Sequence, residues 1–340
     1  MTQTIFAICD GERDYAEKFY EFAHKKEADG FKVVLFTEYE ECKLFMEKNR
    51  IGILLISEDF VKNEKDAVNA ENTIILVKEK LTIYNGDASI YKYQSADTIL
   101  KKVLDYCAEK NAPVFRRNCE KPLSIIGIYS PVKRAFQTTF AITLGQILAT
   151  KGKTLYLNFE GFSGFDSMMA SKNKANLMDL MYYWLCPDVN FSLKLESTIE
   201  HIGGLDYVPP VHSFMNFEGI SAKQWIDFIN SFEEHSDYEY LILDLSENVT
   251  GLFDILSLCK MVYTVTDDRR ISTAKISQYE ALLYENCKDD VIDKTKKFKI
   301  PVFREIPEDF DRLPYSELAR YIKKELEFEE KRDKEDWNVI

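Results

Sequence analysis

Between Leu123 and Thr154 the chain has little conformational choice. Ser124-Ile125-Ile126-Gly127-Ile128-Tyr129-Ser130 is rich in β-branched residues and reads as a buried strand. After a loop that begins at Pro131, Phe140, Ile142, Leu144, Ile147 and Leu148 recur at helical spacing. Gly152 follows the last periodic residue, where a glycine can take the left-handed capping conformation. Thr154-Leu155-Tyr156-Leu157-Asn158 opens a second strand. A strand, a tight loop and a helix in this order are the context of a phosphate-binding loop in an α/β fold.

The loop reads Val132-Lys133-Arg134-Ala135-Phe136-Gln137-Thr138-Thr139. It resembles the deviant Walker A segment of the MinD/ParA ATPases: lysine, two glycines, any residue, glycine, lysine and two Ser/Thr. On that pattern Val132 stands at the signature lysine, Lys133 and Arg134 at the paired glycines, Phe136 at the third glycine and Gln137 at the phosphate lysine. Thr138 and Thr139 match. Glycines serve there because the backbone curls with positive φ and turns its N–H groups toward phosphate oxygens. A side chain in that region costs about 1–2 kcal/mol per residue, and Phe136 fills phosphate space. Without the lysine the β- and γ-phosphates lose a point charge. ATP hydrolysis is therefore not expected, and no catalytic residue is assigned. Lys133, Arg134, Gln137, Thr138 and Thr139 remain the candidate nucleotide-binding residues, because a helix N-terminus attracts anions. Helix-start chemistry is the plainer account of the two threonines.

At 340 residues the chain can hold two domains with cores of their own, and 46% hydrophobic with 30% charged residues is globular composition. No apolar run is long enough to span a bilayer, and the N-terminus lacks the basic start and apolar core of a signal peptide, so a cytoplasmic protein is expected. Seven cysteines without a CxxC pair read as reduced thiols rather than a zinc site. A net charge of −13 opposes non-specific contact with nucleic acid or anionic lipid.

Strands are expected at Thr4–Cys9, Phe31–Phe36, Gly52–Ile56, Thr73–Val77 and Ser89–Tyr93, with helices between them and a last helix capped by Ser95. Alternating strands and helices over about 110 residues argue for a doubly wound parallel sheet. With Asp10 after the first strand, Ser57 and Glu58 after the third and Lys92 after the fifth, this run resembles the receiver domain of response regulators. That family places an acidic pair, a phosphoryl-accepting Asp and a Lys at those points. Serine cannot replace the attacking carboxylate, and Glu58 faces the other way from Ser57 on a strand, so the resemblance implies a pseudo-receiver used for docking or dimerisation.

Residues 111–122, with two prolines and no apolar period, form the boundary between a domain at 1–110 and one at 123–340. Lys151-Gly152-Lys153-Thr154 spells GKT but closes a helix and opens a strand, the reverse of a phosphate loop. The second strand ends in Asn158 and Glu160 where MinD/ParA proteins carry Asp-x-Asp. Both also suit a turn before Gly161. Tyr238–Leu245 resembles the Walker B strand of that family and ends its apolar run at Asp244. The resemblance makes Thr138, Asp244 and Glu160 the magnesium candidates if nucleotide binds; otherwise Asp244 bonds to Thr138. Pro301–Arg304 is read as the closing strand and Tyr315–Phe328 as the final helix, with no strand assigned in the charged segment Asn286–Lys299.

A pseudo-receiver followed by a MinD/ParA-like domain resembles TadZ, also called CpaE, the family that places tight-adherence (Flp) pilus machinery. The resemblance implies two doubly wound α/β domains, flavodoxin-like then MinD/ParA-type P-loop NTPase. It implies a non-catalytic scaffold that forms a homodimer, meets pilus or secretion assembly proteins, and is recruited to the cell pole or the inner face of the membrane without inserting. No cofactor is expected; the alternative is an atypical ATPase that binds ATP and magnesium and switches dimerisation. With Val132 in place of the signature lysine, the dimer is expected to be independent of ATP and held by Val132, Phe136 or the first domain.

Overall fold

The computed structural model describes residues 4–26, 31–63, 70–80, 88–110, 122–133, 136–169, 175–301, 303 and 305–326. In chain order the elements of the first stretch are β1 (Thr4–Cys9), α1 (Arg13–Lys25), β2 (Phe31–Phe36), α2 (Tyr39–Lys48), β3 (Ile51–Ser57), α3 (Glu58–Asn63), β4 (Asn72–Val77), β5 (Ala88–Tyr91) and α4 (Ala96–Glu109). Next come β6 (Ser124–Ile128), α5 (Gln137–Ala149), β7 (Thr154–Asn158), α6 (Phe165–Met168), α7 (Leu177–Trp184) and α8 (Phe191–Thr198). The chain continues through β8 (Glu200–Ile202), β9 (Leu205–Tyr207), α9 (Ala222–His235), β10 (Tyr240–Asp244), α10 (Leu252–Leu258), β11 (Met261–Thr266), α11 (Arg270–Glu285), α12 (Asp289–Asp293) and β12 (Thr295–Lys299).

Two compact units result: Met1–Asn118 with Tyr182–Thr198, and Cys119–Met181 with Ile199–Ile340. In the first, a parallel five-stranded sheet has the order β2-β1-β3-β4-β5, the flavodoxin-like order of a doubly wound fold. β3 is buried along its whole length, as a central parallel strand covered on both faces must be. The Ser95 side chain accepts from the Thr98 N–H and caps α4.

The first unit also takes in α8, a helix that falls inside the 123–340 span expected for the second domain. Leu193 of α8 joins the core formed by Ile99, Leu100, Val103 and Leu104 of α4. The buried Lys194 ammonium pairs with Asp105 of α4 and lies 3.7 Å from the centre of the Tyr183 ring. Asn190 starts the turn by donating its N–H to the Ala108 carbonyl at 3.0 Å. The apolar face of α4 is wider than its own sheet covers, and α8 closes it.

The second unit is a seven-stranded sheet in the order β12-β11-β6-β10-β7-β9-β8, parallel except for the β8–β9 pair. α5 is apolar almost all round and correspondingly buried along nearly its full length. Gly145 lets it approach β9, since a Cβ there would stand 2.8 Å from Leu205 Cδ2. One core joins α5 to Ile126, Ile128, Tyr156, Ile242 and Tyr263 of the sheet.

Two sequence expectations need correction here. The segment Asn286–Lys299 does hold a strand: β12 pairs in parallel with β11 as the sheet edge. Only Phe298 is buried in it, so it lacks an apolar period, and its lysines are the usual protection of an edge. Pro301 and Phe303 are not in a strand, while residues 302 and 304 lie outside the described residues. The final helix covers 317–326 after a 3-10 turn at Phe310–Tyr315, and the rest of that expectation also lies outside the described residues.

Candidate functional site

Parallel pairing brings the carboxyl ends of three strands together. Asp244 is in register with Ile128 on β6 and with Asn158 on β7. Period-2 alternation puts Ile242 and Asp244 of β10 on one face with Tyr156 and Asn158 of β7, the face that α5 covers. Gln137 is the first residue of α5 and points back onto this group. Its Nε2 donates to Asp244 Oδ1 at 2.8 Å, to the Leu245 carbonyl at 3.0 Å and to Glu160 Oε1 at 3.3 Å. Tyr156 donates its hydroxyl to Asp244 Oδ2 at 2.9 Å and accepts from Asn158 Nδ2 at 2.8 Å. Asn158 Oδ1 accepts the Glu160 N–H at 2.8 Å.

Thr138 stands next to Gln137 at the start of α5 and helps hold the Asp244 carboxylate down. Thr139 lies half-buried in the first turn of α5. Lys133 is exposed and pairs at 3.1 Å with Glu247, whose other oxygen accepts the Tyr129 hydroxyl at 3.2 Å. Arg134 lies outside the described residues. Val132, expected at an apolar rim open to a second copy, is instead buried, its N–H bonded to Ser130 Oγ at 3.2 Å. Ser130 in turn donates to the Val265 carbonyl at 2.6 Å, which ties the start of the loop to β11.

The loop keeps its curl without glycine. Phe136 sits at φ 84° and Lys133 at φ 52°. Both are positions where the Walker A pattern has glycine, and both carry a side chain into the left-handed region. Sequence reasoning missed Tyr156 and Glu247. Tyr156 had one signal, its place two residues before Asn158 on the same strand face.

Electrostatics oppose a phosphate guest. Burial raises Asp244 above the usual carboxylate range, while bonds from Gln137, Thr138 and Tyr156 pull it back down. Glu160 is pushed up to about 7 by burial, then by the charges of Asp244 and Glu247, with Lys133 opposing. Tyr156 is raised by burial and by Asp244. A triphosphate brought here would meet Asp244, Glu160 and Glu247 with Lys133 as counter-charge, an amide where a cation is needed and the Phe136 side chain in the loop. The two Asp244 oxygens that would serve a magnesium shell already accept from protein donors. Among the described residues, the neutral Gln137 and the carboxylates of Asp244, Glu160 and Glu247 are a poor match for a nucleotide's phosphates. Among the described residues no cluster of three or more His, Cys, Asp or Glu is placed to hold a metal ion.

A second constellation stands at the carboxyl ends of β1, β3 and β5 in the first unit, where the strand order reverses. Lys92 is fully buried, with its Nζ 2.9 Å from Asp10 Oδ1, 2.7 Å from Asp10 Oδ2 and 3.2 Å from Glu12 Oε1, under the Tyr15 ring at 4.4 Å. Lys78 bridges Glu12 at 3.2 Å and Asp59 at 2.6 Å. Ser57 is buried and its hydroxyl has no hydrogen-bond partner among the described residues, while Glu58 accepts the Lys78 N–H at 3.1 Å. Asp10, Ser57 and Lys92 thus stand at the carboxyl ends of β1, β3 and β5, of which only β1 and β3 are neighbours, and the Lys92 side chain pairs with Asp10 within the protein.

No protein-family model matches the chain, and no curated protein matches it. Solved structures are similar over part of its length. A plasmid partition protein from Borrelia burgdorferi is 16% identical with a TM-score of 0.45, over 63% of this chain and 100% of that one. A ParA family ATPase from Chlorobium tepidum is 17% identical with a TM-score of 0.45, over 58% and 95%. The MinC:MinD cell division complex of Aquifex aeolicus aligns at 16% identity and a TM-score of 0.39, over 51% and 67%. At these values neither residue roles nor activities pass to this chain.

Proposed function

We propose that the chain is a non-catalytic scaffold whose second unit is a nucleotide-binding fold closed on itself. The observation that carries this reading is the 2.8 Å bond from Gln137 Nε2 to Asp244 Oδ1, which places a neutral amide against the carboxylate where a lysine and a magnesium shell would otherwise stand. Its test is titration of labelled ATP with magnesium against the purified protein, together with a turnover assay. The expected result is no saturable binding and turnover equal to buffer. A magnesium-dependent rate abolished by Asp244→Ala would overturn it.

The finer reading is placement of tight-adherence pilus components, with the first unit acting as a pseudo-receiver and the protein as a homodimer recruited to a cell pole or the inner face of the membrane. Its support is the order of elements and the pairing of Asp10 with Lys92 beside Ser57. Deleting the gene should remove surface pili, and a Gln137→Ala copy should restore them, because no chemistry is required of that residue.

One observation favours the rival, an ATP-switched dimer: Thr138 and Glu160 both lie at Asp244, as a magnesium site would need. The mass in solution separates the two. The scaffold stays dimeric with or without ATP and magnesium, whereas the switch would be monomeric until both are added.

A further inference from the structure

Helix α11 carries its charges in the reverse of the order that its dipole favours. Arg270 begins it, Lys275 follows in the same half and Glu285 ends it, with no acid in the first turn and no base in the last. A helix has partial positive charge at its N-terminus and partial negative charge at its C-terminus, so Arg270 and Glu285 each meet like charge. The neighbouring charges are already paired: Arg269 with Asp267 at 2.9 Å, Lys297 with Glu280 at 2.6 Å and Lys299 with Asp268 at 2.5 Å. Arg270, Lys275 and Glu285 are exposed and have no ion-pair partner among the described residues. The helix also buries only a narrow seam, Ser272, Ile276, Tyr279 and Leu283. A second row at helical spacing, Ile271, Ala274, Gln278, Ala281 and Leu282, is exposed, Ile271 at 62% and Leu282 at 41%.

This row has a centre. Ala274 and Leu282 lie four residues either side of Gln278, a small side chain against a large one, and Ile271 and Glu285 lie seven either side. A two-fold axis through Gln278 lays the row of one copy antiparallel on that of another, the half with Arg270 and Lys275 along the end with Glu285. Gln278 then meets itself, and an amide is both donor and acceptor, so it can bond to its own copy where a lysine or a glutamate would repel it. Each helix end faces the opposite end of its partner, in side-chain charge and in dipole alike. A uniformly basic or acidic partner, or an anionic membrane, would suit one end and oppose the other. We infer that the outer face of α11 docks a second copy of this chain, antiparallel and independently of nucleotide. The inference rests on the homodimer reading and names its surface. The net charge of −13 opposes association at long range but is screened beyond about 8 Å at physiological ionic strength. Sixteen residues make about 24 Å of helix, a small contact, so the dimer dissociates on dilution.

The test is sedimentation equilibrium of the full chain at physiological salt, without nucleotide, from about 1 to 100 μM protein. The wild type should dimerise within that range. Gln278→Glu sets two like charges on the axis and should weaken the dimer at least tenfold with an unchanged urea midpoint. Arg270→Glu with Lys275→Glu makes the face wholly acidic, and Glu285→Lys makes it wholly basic. Each should be monomeric alone, and an equimolar mixture of the two should form a heterodimer. A variant that finds its counterpart is folded, so the mixture carries the test even if urea midpoints shift. A wild-type dimer that none of these changes weakens would overturn the inference and leave the homodimer reading standing on another face. Charge variants that lose the dimer and do not recombine would overturn the antiparallel pairing. A wild type that is monomeric throughout would overturn both readings.

Discussion

Asp244 is completely enclosed, and each of its oxygens is matched by a donor that cannot follow it into solvent. Removing one donor leaves a buried acceptor unmatched, which costs about 1–3 kcal/mol. Gln137→Ala should therefore lower the urea unfolding free energy of the second unit by about that amount, whereas a residue idle in the fold would leave it unchanged. Glu160 offers a second residue-level check. Its folded pKa of about 7 lies above its unfolded value, so the folded state holds the extra proton between the two. Its contribution to stability is complete below about pH 4.5 and is lost as pH rises through 7. After allowance for solvent screening the loss is about 1–2 kcal/mol. Wild type minus Glu160→Gln should show that difference in thermal stability between pH 5.5 and pH 8; a pH-independent difference would rule it out. At this scale the sequence exposed Gln137 and Asp244 through their places in a loop and a strand. Tyr156 stayed hidden because a tyrosine inside a buried strand reads as packing until its hydroxyl finds a partner.

Secondary elements were legible where their periodicity is strong. β1 to β4, α5, α7, α9 and β10 follow from apolar spacing, because each has one or two faces that only a core can satisfy. α8 was not, since its eight residues FSLKLEST show little segregation of apolar from polar and its Lys194 is buried against Asp105 rather than exposed. Two outcomes follow. A fragment of 1–118 should bind a hydrophobic dye and unfold without cooperativity, while 1–118 joined to 182–198 by a Gly/Ser linker should unfold sharply; equal behaviour would show α8 to be dispensable. In the same unit, Lys92→Met strands the buried Asp10 carboxylate and should cost about 3–5 kcal/mol in urea, with Asp10→Asn added to it recovering part of the loss. A surface ion pair would show neither effect.

For the whole molecule, both sheets place acidic groups at the carboxyl edges of the strands, where α/β folds do their binding; the first pairs Asp10 with Lys92, and the second satisfies Asp244 with neutral donors from Gln137 and Tyr156. Acetyl phosphate should accordingly leave the intact mass unchanged; one added phosphoryl group that disappears on Glu58→Gln or Ser57→Ala would show the first unit to be a working acceptor. Composition settled the broad class early, but the partition of the chain could not be read from its proline-rich boundary, because that boundary marks where the backbone first leaves a unit and not where it returns. The return of α8 has a consequence in time. On the ribosome, α4 is complete roughly 90 residues before Thr198 is made, and at about 5–20 residues per second its apolar side stays uncovered for about 4–18 s. Through that interval the nascent chain presents Val103 and Leu104 to whatever else is nearby, so the yield of this protein should depend on chaperone supply more than its final stability suggests.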